Sequence, residues 1–225
     1  MNNILPIAGR ARVNIALISV ILIITFLVII SDFMVLNLVK AYFNGETIDV
    51  ADAKAIESRQ NLINICYVIA SILSSIAFLV WLHRAYHNMM QRVDAPLFSP
   101  GWAVGVWFIP FINLVRPYNL MREIFSESQQ IIDNHKKSSN PILKFPLIGW
   151  WWGIYLTRNV LLQVSSRVVK SADTMYEIRT AAIFDIIVSL IGMAAAVVTI
   201  QMIIQHSKLE EQLSAIPEEE QIVAS

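Results

Sequence analysis

Long apolar stretches constrain the fold of this 225-residue chain more than any other feature. No Asp, Glu, Lys or Arg occurs in Val13–Ser31, Gln60–Leu82 or Ile186–Ser207, and Phe145–Ser166 contains Arg158 as its one charged residue. A helix of about 20 apolar residues crosses the hydrocarbon core of a bilayer. The sequence therefore predicts an all-α integral membrane helical bundle, built as one transmembrane domain over residues 1–209. Its four transmembrane helices are expected at about residues 13–38, 61–82, 145–166 and 183–206.

Composition and charge exclude several classes of protein. Hydrophobic residues make up 56% of the chain and charged residues 15%, against about 45–50% and about 25% in soluble domains. Because 17 Lys and Arg balance 17 Asp and Glu, charge gives no reason to expect nucleic acid as a partner. The single cysteine, Cys66, rules out an internal disulfide framework and a Cys-based zinc site. The lipid bilayer is the partner that the composition predicts.

The connection between the second and third spans is interrupted by proline. A helix over Pro100–Val115 would reach only about 24 Å, which is short for a span, and Pro110 would break it. We expect a re-entrant or interfacial helix at about 100–115, with Ser99 as its N-cap. A second such helix is expected at about 117–133. There, six apolar residues recur at helical spacing: Leu120, Met121, Ile124, Phe125, Ile131 and Ile132.

The distribution of basic residues predicts the orientation of the chain. Arg10 and Arg12 precede the first span, and seven Lys and Arg lie from Arg84 to Lys144. Lys and Arg are retained on the cytoplasmic side of a membrane, so this connection and both termini are expected there. The chain is expected to be a multi-pass protein of the cell (inner or plasma) membrane, with residues 210–225 as a polar, mobile cytoplasmic tail.

The middle of the chain carries closely spaced aromatic, proline and charged motifs. Trp81–Asn88 reads W-L-H-R-A-Y-H-N and Ser99–Pro110 reads S-P-G-W-A-V-G-V-W-F-I-P. The motifs that follow are N-L at 113–114, R-P-Y at 116–118, M-R-E at 121–123, and the tryptophan cluster Gly149–Trp152 with Asn159 behind it. Over roughly Asn61 to Gln212, the chain resembles the bacterial membrane-protein family called domain-of-unknown-function family 4328. The resemblance implies a multi-span helical fold and no established activity.

Three charged residues form a predicted intramembrane charge set. In the expected topology, Asp32 ends the first span, Asp185 begins the last, and Arg158 lies in the outer half of the fourth. A buried charge there costs about 2.5–3.5 kcal/mol, and an Arg–carboxylate pair would lower this cost. The functional interpretation is an ion or proton path, or recognition of an anionic group. The structural interpretation, which is favoured, is a clamp between helices or an arginine that extends to the interface.

The histidines provide a weak indication of a metal or haem site. His83 and His87 lie four residues apart on one helix face, and His206 ends the last span at the same expected level. Three neutral imidazoles could hold a metal, and two from different helices could hold haem. The chain has no H-E-x-x-H or C-x-x-C-H motif. No cofactor is therefore predicted.

Arginines and aromatic residues are interleaved at the expected cytoplasmic face. This Arg/aromatic set consists of Arg84, Trp102, Trp107, Arg116, Tyr118 and Arg122. Its guanidinium groups, together with the helix starts at Pro100 and Pro117, suit an anionic lipid headgroup or a nucleotide-like phosphate. The alternative is that these residues only anchor helices at the membrane interface.

No catalytic motif is found, so no enzyme activity is predicted: the chain has no G-x-S-x-G elbow, P-loop or dinucleotide fingerprint. The leading hypothesis is a non-enzymatic membrane protein that binds lipid or a partner at the Arg/aromatic set and acts as a scaffold. The second is a small transporter or channel that uses the charge set, and the third is a membrane redox protein that uses the three histidines. Small residues at 192–196 are compatible with a homo-oligomer.

Overall fold

A computed structural model of the chain describes residues 4–93, 96–136 and 146–217. Over these residues the fold is all-α, as predicted, and no β-strand is present. The helices are α1 (Ala8–Phe43), α2 (Val50–Met90), α3 (Pro100–Gly105), α4 (Arg116–Lys136), α5 (Pro146–Lys170) and α6 (Met175–Ser214). A short 3₁₀ turn, Ile112–Leu114, precedes α4.

Three of these helices, α1, α2 and α6, are long and apolar enough to cross a membrane. They contain 36, 41 and 40 residues, which at 1.5 Å per residue is about 54–62 Å of helix. Since the hydrocarbon core is about 30 Å thick, each helix would extend well beyond it. The expected spans 13–38, 61–82 and 183–206 fall within these helices.

Helix α5 covers the fourth expected span, 145–166, apart from residue 145, which lies outside the described residues. This helix has 25 residues but is not among the three that combine sufficient length with sufficient hydropathy. Arg158, Asn159 and Gln163 lower its apolar character. A fourth crossing therefore stays a prediction.

Local sequence signals account for two helix ends. After α1, the N–H of Gly45 donates to the carbonyl of Tyr42 and that of Glu46 donates to Ala41, both at 3.1 Å. Gly45 has φ 80°, a left-handed conformation that suits glycine after a helix. At the start of α3, the Ser99 hydroxyl accepts from the Trp102 N–H at 3.2 Å, as expected for this N-cap.

The chain divides into two compact units. Unit 1 comprises the described residues of 1–16, 74–152 and 198–225. Its core includes Trp81 and Leu82 of α2 and Met202 of α6, all fully buried. The six apolar residues of α4 that recur at helical spacing are buried as well, so the apolar face of α4 packs against protein within this unit.

Unit 2 comprises residues 17–73 and 153–197. Val35, Val39 and Ala182 form a buried cluster between α1 and α6. Four partly buried side chains pack against this cluster: Leu36, Ile56, Met175 and Ile178. The boundaries of the two units fall inside α1, α2, α5 and α6.

Two of the expected segment boundaries differ from the helix ends. The interfacial helix expected at 100–115 is divided into α3 and the 3₁₀ turn, because Pro110 cannot supply a backbone N–H to a continuous helix. The expected tail, 210–225, begins inside α6, which continues to Ser214 with Leu213 buried. Residues 218–225 of that tail lie outside the described residues.

Candidate functional site

The six residues of the Arg/aromatic set lie in unit 1 but have different surroundings. Trp102, Arg116 and Arg122 are exposed, whereas Arg84, Trp107 and Tyr118 are half-buried. Several of the six residues have separate contacts.

Arg84 holds the N-terminal segment against α2. One of its guanidinium nitrogens donates to the carbonyl of Pro6 at 2.6 Å. One turn later, buried Asn88 donates through Nδ2 to the carbonyl of Leu5 and accepts from the Leu5 N–H, both at 2.9 Å. Arg84 therefore supports the structure of unit 1, and its donor group at Pro6 is already in use.

Trp107 belongs to a cluster of aromatic rings. It packs edge-to-face against Phe78, Trp151 and Trp152, with ring centroids 5.5, 6.4 and 5.8 Å away. The indole N–H of Trp152 donates to the carbonyl of Leu114 at 2.8 Å, and that of Trp151 donates to Thr199 Oγ1 at 3.1 Å. Two tryptophans of the 150–152 run are thus buried, while Trp150 is 69% exposed.

The segment between α3 and α4 makes a strained turn at Phe111. This residue has φ 65° and ψ −41°, and the Ile112 N–H donates to the carbonyl of Pro110 at 2.8 Å. The pattern is that of a γ-turn with positive φ, which is rare and strained for a residue with a side chain. Strained backbone of this kind costs about 1–3 kcal/mol and occurs preferentially at functional sites.

The turn exposes apolar side chains rather than burying them. Phe111 is 85% exposed and Phe108 is 72% exposed. Leu114 and Val115 are also exposed. We call these four residues the apolar tip. Trp152 fixes the base of the tip through its hydrogen bond to the Leu114 carbonyl.

Two exposed arginines follow the apolar tip in the chain. Arg116 begins α4, and its Cζ lies 5.2 Å from the centroid of the Phe98 ring, a cation–π contact that orients the guanidinium. Arg122 lies on the exposed side of the same helix. The arrangement combines apolar side chains with positive charge along one short segment. This combination is complementary to an anionic membrane surface.

A buried hydrogen-bond network holds the loop that leads into α3. The Tyr86 hydroxyl donates to the Glu123 carboxylate, 3.1 Å from Oε1 and 3.0 Å from Oε2. The Leu97 N–H donates to Glu123 Oε1 and the Phe98 N–H donates to the Tyr86 hydroxyl, both at 2.9 Å. We call this arrangement the Tyr86–Glu123 network. It places Phe98 where Arg116 can stack on it.

Burial of the Glu123 carboxyl group raises its pKa above the usual range. The Leu97 N–H and the Tyr86 hydroxyl act in the opposite direction, because both stabilise the ionised form. The nearby charge of Glu127 adds to the upward shift. The net effect is a carboxyl group that is harder to ionise in the folded chain than in the unfolded chain.

A buried ion pair connects α6 to the end of α2. Arg92 donates to both carboxylate oxygens of Glu210, at 3.0 and 3.1 Å. His206, one turn before Glu210, is enclosed by Trp81 and Phe125, with ring centroids 5.2 and 5.8 Å away. No sequence motif links Arg92 to Glu210, because they lie 118 residues apart and only the fold brings them together.

The intramembrane charge set is divided in the structure of unit 2. Arg158 donates to the hydroxyl of Tyr67 and fills the space beside Gly192, where an added Cβ would lie 2.8 Å from its Nε. No ion pair joins Arg158 to a carboxylate within the described part of the chain. The arginine–tyrosine contact joins α5 to α2; an Arg–carboxylate pair within the charge set stays a prediction.

The two aspartates of the charge set have polar partners instead. The Gln60 side-chain amide donates to Asp32 Oδ1 at 3.3 Å, and the Ser165 hydroxyl donates to Asp185 Oδ1 at 3.0 Å. Asp32 is only 3% exposed. Asp32 and Asp185 line one crevice of unit 2. Nothing in the sequence pattern indicated Gln60 as a partner.

The three histidines do not form a metal-binding group. Within residues 4–93, 96–136 and 146–217, no three or more His, Cys, Asp or Glu side chains are arranged to hold a metal ion. His83 and His87 are half-buried on α2. His206 is buried, and its Nε2 lies 3.9 Å from Glu210 Oε1. Its two ring nitrogens have no hydrogen-bond partner among the described residues.

A family model matches most of the chain. The model of a family described as a domain of unknown function, DUF4328, matches residues 44–208. This range contains α2 to α5 and most of α6, and with them the Tyr86–Glu123 network, the apolar tip, and Arg158 and Asp185 of the charge set. Asp32 lies before the matched range. The chain matches no curated protein and no solved structure.

Proposed function

From the geometry of this chain, which belongs to the family of the domain of unknown function DUF4328, we propose that it is a non-enzymatic integral membrane protein that binds anionic lipid. The binding region is the apolar tip together with Arg116 and Arg122. The observation that carries this proposal is Phe111, which is held in a strained positive-φ turn with its ring 85% exposed. In this proposal, the protein acts as a scaffold at the membrane surface.

The energetics of the tip favour contact with lipid. Burying a phenylalanine side chain in an apolar environment gains about 1.5–3 kcal/mol. Phe111 does not gain this free energy while its ring is exposed, and its backbone conformation adds strain. Insertion of Phe108 and Phe111 between acyl chains would provide this gain, while the guanidinium groups of Arg116 and Arg122 remain at the level of the headgroups.

The proposal includes a membrane topology. Helices α1, α2 and α6 cross the bilayer, and α5 crosses as the fourth span. Both termini and residues 84–144 are cytoplasmic, in accordance with the distribution of Lys and Arg. The tip then acts as a re-entrant or interfacial element at the inner leaflet, where anionic lipids attract basic residues.

The structure gives less support to the two alternative functions. A transporter that used the intramembrane charge set would need Arg158 near the aspartates, but its guanidinium donates to Tyr67 and occupies the space beside Gly192. A redox role would need the histidines as ligands, and His206 is enclosed by Trp81 and Phe125. Lipid binding makes use of residues that are already exposed.

Native mass spectrometry of the whole protein, released from detergent micelles doped with phosphatidylglycerol or phosphatidylcholine, tests the proposal. We expect wild-type protein to retain phosphatidylglycerol in preference to phosphatidylcholine. The double variant R116A/R122A should lose this preference, because it removes the charges next to the tip. A matched control is R167A, which removes an exposed arginine at the end of α5.

A second variant separates the apolar contribution from charge. F111S should reduce the retention of both lipids. It should leave the preference for phosphatidylglycerol unchanged, because Arg116 and Arg122 are still present. Equal retention of phosphatidylglycerol by wild-type, R116A/R122A and F111S proteins would contradict the proposal. A loss that R167A reproduces would show that the total charge, and not the tip, governs retention.

A further inference from the structure

Unit 2 contains a polar crevice among α1, α2 and α6, apart from the lipid-binding region. Its cavity volume is about 20 Å³, which is room for one water-sized group. Two aliphatic and five polar side chains line it: Val28, Ser31, Asp32, Gln60, Ile63, Asn64 and Asp185. The crevice lies where the uncharged runs of the three helices begin or end: Ser31 closes the first run, Gln60 opens the second and Asp185 precedes the third.

Two buried oxygen atoms at the crevice lack partners. Ser31 is 2% exposed and its Oγ has no hydrogen-bond partner among the described residues. Asp32 is 3% exposed, and its Oδ2 likewise has none there, although Oδ1 accepts from Gln60. Buried polar groups are nearly always satisfied in native proteins. Both side chains line the crevice, so a ligand inside it would satisfy them.

The charges around the crevice favour a cation. Asp32 and Asp185 contribute two carboxylates, and in the described part of the chain neither forms an ion pair with Lys or Arg. Arg59 directly precedes Gln60 but does not line the crevice, and Arg158 is held by Tyr67. Two carboxylates in a poorly solvated site require a compensating positive charge.

We propose that this crevice binds a hard divalent cation, with Ca²⁺ as the ion that fits best. The ligands are the carboxylates of Asp32 and Asp185, the Ser31 hydroxyl, and the amide oxygens of Gln60 and Asn64. The Gln60 amide nitrogen donates to Asp32, which leaves its oxygen as the group available to a cation. All of these ligands are oxygen atoms, as Ca²⁺ prefers, and Ca²⁺ accepts the irregular geometry that Mg²⁺ does not.

Equilibrium binding of ⁴⁵Ca²⁺ to the full-length protein in detergent tests the proposal, with Mg²⁺ as competitor. We expect saturable binding of one Ca²⁺ per chain that an equal concentration of Mg²⁺ hardly displaces. D32N and D185N should each weaken binding by more than about tenfold, because each removes a charged ligand. The matched control D52N removes a charge from an exposed position at the start of α2 and should leave binding unchanged.

The result for the wild-type protein decides the proposal even where a variant does not fold. Absence of saturable Ca²⁺ binding by folded wild-type protein would overturn it, and so would equal binding by wild-type and folded D32N. S31A gives a milder perturbation, since it keeps both carboxylates and removes the unpartnered hydroxyl. We expect S31A to weaken Ca²⁺ binding less than D32N does. Binding by S31A that is no weaker than binding by D52N would count against the site.

Discussion

The hydroxyl group of Tyr86 lies 3.0 Å from Oε2 and 3.1 Å from Oε1 of Glu123, and both side chains are buried. Tyr86 belongs to the W-L-H-R-A-Y-H-N segment and Glu123 to the M-R-E segment, so two of the motifs that define the resemblance to the family meet at this contact. The same carboxylate accepts from the Leu97 N–H. The contact therefore fixes the start of the segment that carries the apolar tip.

Removal of the Tyr86 hydroxyl should destabilise unit 1. In Y86F, Glu123 loses a donor while it stays buried, and the Phe98 N–H loses its acceptor. We expect the free energy of unfolding to fall by about 1–3 kcal/mol, the usual cost of unsatisfied buried groups. Thermal unfolding in detergent, followed by circular dichroism, measures this loss. Y176F, which removes the hydroxyl of a 68% exposed tyrosine, is the control, and an equal effect in both variants would contradict the prediction.

The raised pKa of Glu123 predicts a pH-dependent contribution to stability. Because burial raises the pKa of Glu123 above the ordinary value of 4.5, the folded state holds the proton at a pH where the unfolded state has released it. The stability contributed by Glu123 is therefore full below about pH 4.5 and declines as the pH rises through the folded-state pKa. E123Q removes this titration. The difference in unfolding free energy between wild-type and E123Q proteins should thus shift in favour of E123Q as the pH rises. A constant difference from acid to neutral pH would refute this.

The helices could be predicted because their signals are local. Length without charge identified α1, α2 and α6, and the recurrence of Leu120, Ile124 and Ile131 identified the buried face of α4. The Ser99–Pro100 pair located the start of α3. Each signal involves residues within a few turns of one another, where backbone geometry alone fixes which side chains share a face.

The candidate sites were only partly predictable, because their contacts depend on tertiary structure. The sequence identified Arg116, Arg122, Asp32 and Asp185, but it assigned Arg158 to the aspartates, and Tyr67 is the partner that the fold supplies. The turn at Phe111 gave no sequence signal, since a positive φ is expected at Gly, Asn or Asp and not at an aromatic residue.

Substitution by alanine should change the stability of the protein in opposite directions at two glycines of unit 2, Gly153 and Gly192. A Cβ at Gly192 would lie 2.8 Å from Arg158 Nε, whereas nothing lies within 4 Å of a Cβ at Gly153. G153A should stabilise the protein by about 0.5–1 kcal/mol, because alanine is the better helix former. In G192A, displacement of Arg158 from Tyr67 should outweigh this gain and give a net loss of about 1 kcal/mol. Chemical unfolding of both variants measures the two effects, and equal stabilisation would show that Arg158 moves aside without cost.

The buried pair of Arg92 and Glu210 should make the end of α6 part of the core of unit 1. In E210Q, Arg92 stays 1% exposed but loses the charge of the Glu210 carboxylate, and breaking such a pair costs about 3–5 kcal/mol. Replacing both partners, in R92M/E210M, should recover most of this loss, because it removes the buried arginine together with this carboxylate. E211Q changes an exposed neighbour and should have no measurable effect. Unfolding free energies of the three variants decide between these cases. If R92M/E210M were as unstable as E210Q, the side chains would matter through their packing and not through their charges.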